Sequence, residues 1–289
     1  MRRVAIVGLG LIGGSLGLAL KRYLPGVEVV GVAPRQETAD QALAMAAVDV
    51  AGTDLTLLRD ADLVVLACPL AVTAAVLEDV LPHLADGARV TDVGSAKARV
   101  VEHALGVLDA RRNPFLGGHP MAGKEVSGIG HAEANLFRGR PWVFTPHTVG
   151  AAEPFEDYLT AVRAIGATPL NLAPQQHDRY VALVSHIPFL LSTAYLLAVG
   201  GGPDWTAAAD LASSGFRDIS RLGAGNSEMY AAITNFNRAE VLSAWASLHE
   251  ALDLLEAAIA RGEDPVLLDL LVRARGIREA WAGEHPQLA

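Results

Sequence analysis

The chain has 289 residues, a length typical of two domains, and 51% of them are hydrophobic, which excludes a disordered chain. Its net charge of −9 argues against nucleic-acid or anionic-membrane binding as a main task, because both need a basic surface. A single cysteine excludes a disulfide scaffold and a zinc site built on cysteine pairs. Charged residues are only 19%, which predicts buried surface beyond one monomer and hence an oligomer.

Short β-rich runs alternate with helical patterns over the first 173 residues. The predicted strands are residues 4–7, 27–32, 63–67, 88–93, 142–145 and 168–172, with a further short run at 113–116. The predicted helices between them are residues 11–23, 72–84, 97–107 and 153–164. This alternation predicts a parallel sheet with helices on both faces.

Strand-like runs disappear after residue 174. The predicted helices there are residues 177–199, 205–213, 229–261 and 265–281. Residues 240–259 carry apolar side chains around much of the helix, which is typical of burial within a bundle or between subunits. We therefore predict an α/β fold in which a Rossmann-like dinucleotide-binding domain, residues 1–173, is followed by an all-α helical domain, residues 174–289.

Two features bear on localisation. The N-terminal apolar run is interrupted by glycines and lacks a cleavage site, unlike a signal peptide. The apolar stretch at 63–77 is too short to span a membrane. We therefore expect a cytoplasmic protein without a membrane partner.

A glycine-rich loop follows the first predicted strand. The motif GLGLIG begins at Gly8 and opens a helix, which is the context of a dinucleotide-binding loop. Gly8 allows the tight turn, Gly10 lets the backbone approach a pyrophosphate, and Gly13 allows close helix packing. The N–H groups at the helix start, at Leu11 and Ile12, would face the phosphates. The alternative is a glycine-rich turn that binds no ligand.

The end of the second strand distinguishes the two nicotinamide cofactors. NAD sites usually carry an acidic residue about 20 positions after the loop, but Ala33 stands there, followed by Pro34 and Arg35. An uncharged strand end next to an arginine suits the 2′-phosphate of NADP. This pattern favours NADP over NAD, unless Arg35 is only a solvated loop residue.

Three further segments hold polar residues where an apolar pattern would not place them: DVGSAK from Asp92, GGHPMAG from Gly117 and SSGFRDISR from Ser213. Together with GLGLIGGSL at Gly8 and SHIP at Ser185, and in this order, they resemble the prephenate/arogenate dehydrogenases of tyrosine biosynthesis. The resemblance implies oxidative decarboxylation of prephenate or arogenate with hydride transfer to NAD(P). It also implies a nucleotide-binding domain followed by a helical domain that forms a homodimer.

By this resemblance His119 is the base that removes the substrate's hydroxyl proton, a role that suits a neutral imidazole. Its flanking glycines and Pro120 predict a loop that exposes the ring, unless His119 is structural. With an unperturbed pKa, log kcat/KM would level off above about pH 6.5. Ser95 would orient substrate and His119, or cap the helix that starts near Lys97. Lys97 itself would balance charge near the phosphates.

The substrate carries two carboxylates, so an acidic protein must attract it with local cations. By resemblance Arg221 binds a substrate carboxylate, and Arg217 lies four residues earlier on the same helix face. We expect the arginine contact on the side-chain carboxylate, since gripping the departing one would stabilise the ground state. The alternative for both is a salt bridge, for instance with Asp218. His186 faces the substrate or is a satisfied histidine at a helix bend.

Two rival functions remain. A β-hydroxyacid dehydrogenase needs a lysine in the helical half, where this sequence has none after residue 124. A non-catalytic NADP-binding sensor would need the glycine loop but not His119, Ser95 and Arg221 together. A metal site is not expected, because no HExxH motif or Cys/His cluster occurs. The choice between prephenate and arogenate stays open.

Overall fold

The computed structural model describes residues 1–124 and 126–285. The chain forms two compact units, Met1–Arg238 and a second that begins at Ala239. The first unit therefore includes the sheet and also the helices that follow it up to Arg238. The predicted domain boundary at residue 173 stays a prediction.

One mixed sheet organises the first unit. Its strands are β1 (Arg3–Val7), β2 (Glu28–Val32), β3 (Val50–Gly52), β4 (Leu63–Leu66), β5 (Arg89–Asp92), β6 (Phe115–Pro120), β7 (Pro141–Thr145) and β8 (Thr168–Asn171). They lie in the order β3-β2-β1-β4-β5-β6-β7-β8. All neighbours are parallel except β6 and β7, which are antiparallel. The order up to β6 is that of a doubly wound dinucleotide-binding fold, which confirms the predicted α/β class.

Helices cover both faces of this sheet. The helices that accompany the strands are α1 (Leu11–Tyr23), α2 (Gln36–Ala44), α3 (Thr73–Val80), α4 (Ala98–Val107) and α5 (Glu156–Ala164). Alternate β1 residues belong to two different apolar clusters, Val4 and Ile6 to one and Ala5 and Val7 to the other. This alternation is what a strand buried on both faces requires.

The remaining helices of the first unit are α6 (Pro174–Val181), α7 (Ile187–Gly200), α8 (Trp205–Ala209), α9 (Ser214–Ser220) and α10 (Ser227–Phe236). A π-helical turn, Ala182–His186, joins α6 to α7 and makes one long helical segment. The predicted helix 205–213 ends early at Ala209. The predicted helix 229–261 is wrong in its continuity, because the buried residue Asn237 separates α10 from the next helix.

Two long helices end the described chain, α11 (Arg238–Arg261) and α12 (Asp264–Glu284). Among the residues of α11 that were predicted to be buried, Leu242, Leu254 and Ile259 are about three-fifths exposed in the single chain. Burial within a bundle is therefore wrong for these side chains. Burial between subunits remains the consistent interpretation.

Candidate active site

The glycine loop after β1 has the close packing that a dinucleotide-binding loop needs. Gly8 has a φ of +106°, and its N–H donates to the Val32 carbonyl at 2.8 Å. A Cβ added to Gly13 would lie 1.9 Å from the Gly8 carbonyl oxygen. The loop and the start of α1 thus approach each other so closely that only glycine fits at Gly13.

Gly10 differs, because a Cβ there would meet no atom within 4 Å. It is the N-cap of α1, and no side chain caps the helix at this position. The first helical hydrogen bond runs from Gly14 N–H to the Gly10 carbonyl, so the N–H groups of Leu11, Ile12 and Gly13 precede it. The open space beside Gly10 and the N–H groups at the helix start fit the pyrophosphate of NAD(P).

Gly10 and Gly13 should therefore respond differently to alanine. We expect Gly13→Ala to lower both the thermal unfolding midpoint and cofactor affinity, because backbone atoms must shift to admit the methyl group. Gly10→Ala should leave the midpoint close to wild type and weaken only cofactor binding. Differential scanning fluorimetry and NADPH fluorescence titration measure the two quantities. Equal loss of stability in both variants would contradict this prediction.

Ala33 and Arg35 follow the end of β2, which is where a residue that distinguishes NAD from NADP is expected. Ala33 is buried, and its N–H donates to the Gly52 carbonyl at 3.0 Å. Arg35 is the N-cap of α2, and its side chain is exposed. Since the Gly8 N–H bonds to Val32, Arg35 follows β2 at the same sheet edge as the glycine loop.

The segment DVGSAK, which begins at Asp92, lies at the same edge of the sheet as the glycine loop. Strand register aligns Val7 with Leu66 and Leu66 with Asp92, so Gly8 and Val93 both follow the carboxyl ends of parallel strands. Ligands in such sheets bind outside these ends. Ser95, half-buried, lies three residues beyond Asp92.

A buried ion pair lies beneath this segment. The side chains of Asp92 and Lys97 are completely inaccessible to solvent, and the Lys97 ammonium donates to the Asp92 carboxylate. Lys97 Nζ also donates to the Gly118 carbonyl at 2.8 Å, while Gly118 N–H donates to Asp92 Oδ1 at 3.1 Å. Burial lowers the pKa of Lys97, and Asp92 offsets part of that shift. Lys97 thus ties β5 to β6, and the expected role in balancing phosphate charge does not describe its contacts.

His119 occupies a place in β6 rather than the predicted loop. It pairs with Val143 of β7, and its ring is half-buried instead of exposed. Its Nδ1 lies 2.8 Å from Nε2 of His177, and Nδ1 of His177 lies 2.8 Å from Oδ1 of Asp178. We call His119, His177 and Asp178 the polar triad. His177 and Asp178 come from α6, so the start of this helix lies against the end of β6.

Asp178 also caps α4. Its carboxylate accepts N–H groups from Lys97 at 2.7 Å and from Ala98 at 2.9 Å. The structure therefore gives the capping role to Asp178, and the alternative interpretation of Ser95 as the cap is wrong. The helix starts at Ala98, and Ser95 lies before it, on the segment that leads from β5.

His186 lies in the π-helical turn and is almost completely buried. Its Nδ1 is 3.2 Å from Nδ2 of Asn237, whose amide also donates to the Asp178 carbonyl at 2.7 Å. Since the Asn237 amide nitrogen only donates, Nδ1 of His186 accepts and Nε2 carries the proton. Single-turn π-helices occur frequently at functional sites.

His119 and His186 are both neutral imidazoles. The pKa of His119 is held well below 6.5 by burial and by the neighbouring His177, Lys97 and His186. Burial lowers the pKa of His186 to about 4. A neutral imidazole at His119 is the form that accepts a proton.

Sequence patterns missed His177, Asp178 and Asn237. A His–Asp pair at the start of an otherwise apolar helical segment is a usable signal, because buried polar side chains need partners. Asn237 lies among other polar residues and carries no such signal. Each of the three contacts an element distant in sequence, so the partner itself was not predictable.

The predicted arginines lie on α9 and at its end. Arg217 is exposed and pairs with Asp218 at 2.8 Å, which is the salt-bridge alternative. Arg221 is the C-cap of α9. The hydrogen bond and charge of Arg217 lower the pKa of Asp218, and the charge of Arg221 adds a smaller effect. Gly223 N–H donates to Ser192 Oγ at 2.8 Å, which fastens the turn after Arg221 to α7.

A mostly apolar cavity of about 560 Å³ lies among α7, α8 and α9. Tyr195, Trp205 and Phe216 are among its lining residues. None of the polar triad lines it, so this cavity is not the place where His119 acts.

The helical segment that runs from α6 to α7 is both long and apolar. Pro174–Gly200 is the one segment of the described chain that is long and apolar enough to cross a membrane, and the sequence prediction overlooked it. It carries His177, Asp178 and His186 in buried, hydrogen-bonded positions. With these polar side chains bonded inside the protein, this one segment is weak evidence of a membrane span.

Known proteins resemble the chain over nearly its whole length. It is 29% identical to prephenate dehydrogenase of Lactococcus lactis over 282 residues, 97% of this chain and 77% of that protein. The crystal structure of Synechocystis arogenate dehydrogenase is 36% identical with a TM-score of 0.85, covering 96% of this chain and 99% of that one. The Aquifex aeolicus prephenate dehydrogenase, solved with hydroxyphenyl propionate and NAD+, is 26% identical with a TM-score of 0.90, covering 97% and 98%.

Two family profiles match successive segments of the chain. The nucleotide-binding domain of prephenate dehydrogenase matches residues 16–169, and the dimerization domain of that enzyme matches residues 173–273. With the glycine loop and the polar triad at one edge of the sheet, these matches show that the chain belongs to the prephenate dehydrogenase family, whose members are NAD(P)-dependent enzymes.

Proposed function

We propose that the protein oxidatively decarboxylates prephenate to 4-hydroxyphenylpyruvate, or arogenate to tyrosine, with hydride transfer to NAD(P). One observation carries the proposal. The neutral imidazole of His119, held by His177, extends from the sheet edge where the glycine loop also ends. A base beside a nicotinamide site is what the oxidation of a ring hydroxyl needs.

NAD(P), held at the glycine loop around Gly10, would take up the hydride from the ring carbon that bears the hydroxyl group. His119 accepts the hydroxyl proton, and the ring carboxylate leaves as carbon dioxide. Aromatisation drives the reaction, so the protein mainly positions the substrate and removes one proton. Ser95 lies beyond the same strand ends and would orient the hydroxyl group.

Substrate carboxylates would be bound on the helical side. His186 with its protonated Nε2 is a donor, and Ser192 lies six residues further along the same helical segment, about 9 Å at 1.5 Å per residue. The bond from Gly223 to Ser192 holds the turn after Arg221 at that level. We assign Arg221 to the side-chain carboxylate, with Arg217 less directly involved because Asp218 already pairs with it.

The decisive assay follows absorbance at 340 nm with purified protein, crossing prephenate and arogenate with NAD and NADP. Turnover in any combination supports the proposal, and the best combination identifies the substrate. No turnover in all four, with cofactor binding intact, would favour a non-catalytic NADP-binding sensor instead.

For the cofactor we propose NADP over NAD. Support comes from the buried, uncharged Ala33 and the exposed Arg35 at the sheet edge that holds the glycine loop. Arg35→Ala should raise KM for NADP about tenfold and leave KM for NAD unchanged, because only NADP carries the 2′-phosphate. Arg59→Ala, an exposed arginine elsewhere, is the control. Equal effects on both cofactors would refute the NADP assignment.

The perturbed pKa of His119 changes the expected pH profile. Because the base must be unprotonated and its pKa is depressed, kcat/KM should already be on its plateau at pH 6.5 and decline only in more acidic solution. A steep rise between pH 6.5 and 8 would contradict this expectation. Initial rates in a constant-ionic-strength buffer series measure it.

We further propose a cytoplasmic homodimer that acts on a small molecule and binds neither nucleic acid nor membrane. The exposed apolar residues of α11 and α12, such as Leu242, Leu254, Leu268 and Ile277, support association of two copies through the helical part. The acidic charge supports the absence of nucleic-acid binding.

A further inference from the structure

We infer that His177 and Asp178 are positioning residues that determine which nitrogen of His119 carries the proton. This inference rests on the proposed function, in which His119 is the base. Each hydrogen bond between the Asp178 carboxylate and His119 contains one proton, so the carboxylate determines the position of each proton in turn.

Asp178 lies at one end of this row of hydrogen bonds, and its own donors keep its carboxylate ionised. Oδ1 accepts from Lys97 N–H at 2.7 Å, and Oδ2 accepts from Ala98 N–H at 2.9 Å. Two N–H donors and the positive end of the α4 dipole stabilise the ionised carboxylate. An ionised carboxylate only accepts hydrogen bonds, so Nδ1 of His177, 2.8 Å from Oδ1, carries a proton and donates it.

The tautomer of His177 in turn determines the tautomer of His119. A neutral imidazole with its proton on Nδ1 has a lone pair on Nε2. That Nε2 lies 2.8 Å from Nδ1 of His119, so His119 donates there and carries its proton on Nδ1. Nε2 of His119 is then unprotonated and is the nitrogen available to the substrate.

The same arrangement of protons in the hydrogen bonds assists the transfer of the substrate's proton to His119. The substrate O–H bond breaks, an N–H bond forms at Nε2, and His119 becomes an imidazolium. The positive charge of Lys97 opposes the imidazolium. The hydrogen bond through His177 to the Asp178 carboxylate is the stabilising contact, as an aspartate stabilises the imidazolium of a catalytic histidine in other enzymes.

Two variants of similar size separate this role from a purely structural one. His177→Asn keeps a donor for Asp178 but has no group that reaches His119, because asparagine matches only the Nδ1 side of the ring. His177→Gln places an amide oxygen near the former Nε2, where it accepts from His119 Nδ1. We expect kcat to fall on the order of 10²- to 10⁴-fold in His177→Asn. His177→Gln should retain about tenfold more activity, the worth of one hydrogen bond.

Substrate KM and the thermal midpoint should change much less than kcat in the two variants. Equal kcat in His177→Asn and His177→Gln, or losses that only follow the thermal midpoint, would overturn the inference. Either result would show that His177 merely fills space.

Nitrogen-15 NMR of the histidine-labelled native protein tests the tautomer without any turnover. At neutral pH the His119 signals should show a protonated Nδ1 and an unprotonated Nε2, assigned by comparison with His119→Asn. A protonated Nε2 in the native protein would overturn the inference. The expected tautomer in a protein that turns over none of the four substrate and cofactor combinations would refute the proposed function while supporting the tautomer assignment.

Discussion

His119→Asn should reduce kcat by about 10²- to 10⁴-fold, the usual contribution of a general base. Asparagine retains a polar side chain next to His177 but cannot accept the hydroxyl proton at neutral pH. Binding of NADP should persist, because the glycine loop follows a different strand, β1, and does not include His119. Stopped-flow or steady-state absorbance at 340 nm measures the rate, and fluorescence titration measures binding.

His147→Asn is the matched control, since His147 is an exposed histidine after β7 that undergoes the same chemical change. It should retain wild-type kcat. If His119→Asn also kept wild-type kcat, the sensor function would gain support and His119 would be a structural residue of β6.

Lys97→Met should lower the free energy of unfolding by about 3–5 kcal/mol, the typical cost of leaving one charge of a buried pair without its partner. Both Lys97 and Asp92 are inaccessible to solvent, so water cannot replace the lost ammonium group. This loss is a large fraction of the stability of an ordinary domain, about 5–15 kcal/mol. Urea denaturation followed by circular dichroism measures it.

Two further variants serve as comparisons for this prediction. Lys124→Met removes the exposed lysine that pairs with Glu133 at 3.1 Å, and should cost about 1 kcal/mol or less. Adding Asp92→Asn to Lys97→Met removes the stranded charge and should recover part of the loss. Similar losses for Lys97→Met and Lys124→Met would show that the Asp92–Lys97 pair does not hold β5 and β6 together.

The sequence alone determined the class of the fold and the position of the glycine-rich loop. Both depend on local patterns: apolar runs of strand length and a glycine spacing that only a tight strand-to-helix turn explains. The motif around His119 was also visible as a motif. Its flanking glycines suggested a loop, but pairing with β7 extends the strand through Pro120. Cross-strand pairing is a non-local interaction, so residue composition could not reveal it.

Only the tertiary structure decided the partners of the buried polar groups. Asp178 caps a helix that begins 80 residues earlier in the chain, and His177 meets a strand that ends 57 residues before it. Lys97 faces Asp92 because the turn between β5 and α4 folds back beneath β6. A sequence shows that a buried charge needs a partner, but the choice of partner depends on which distant elements pack together.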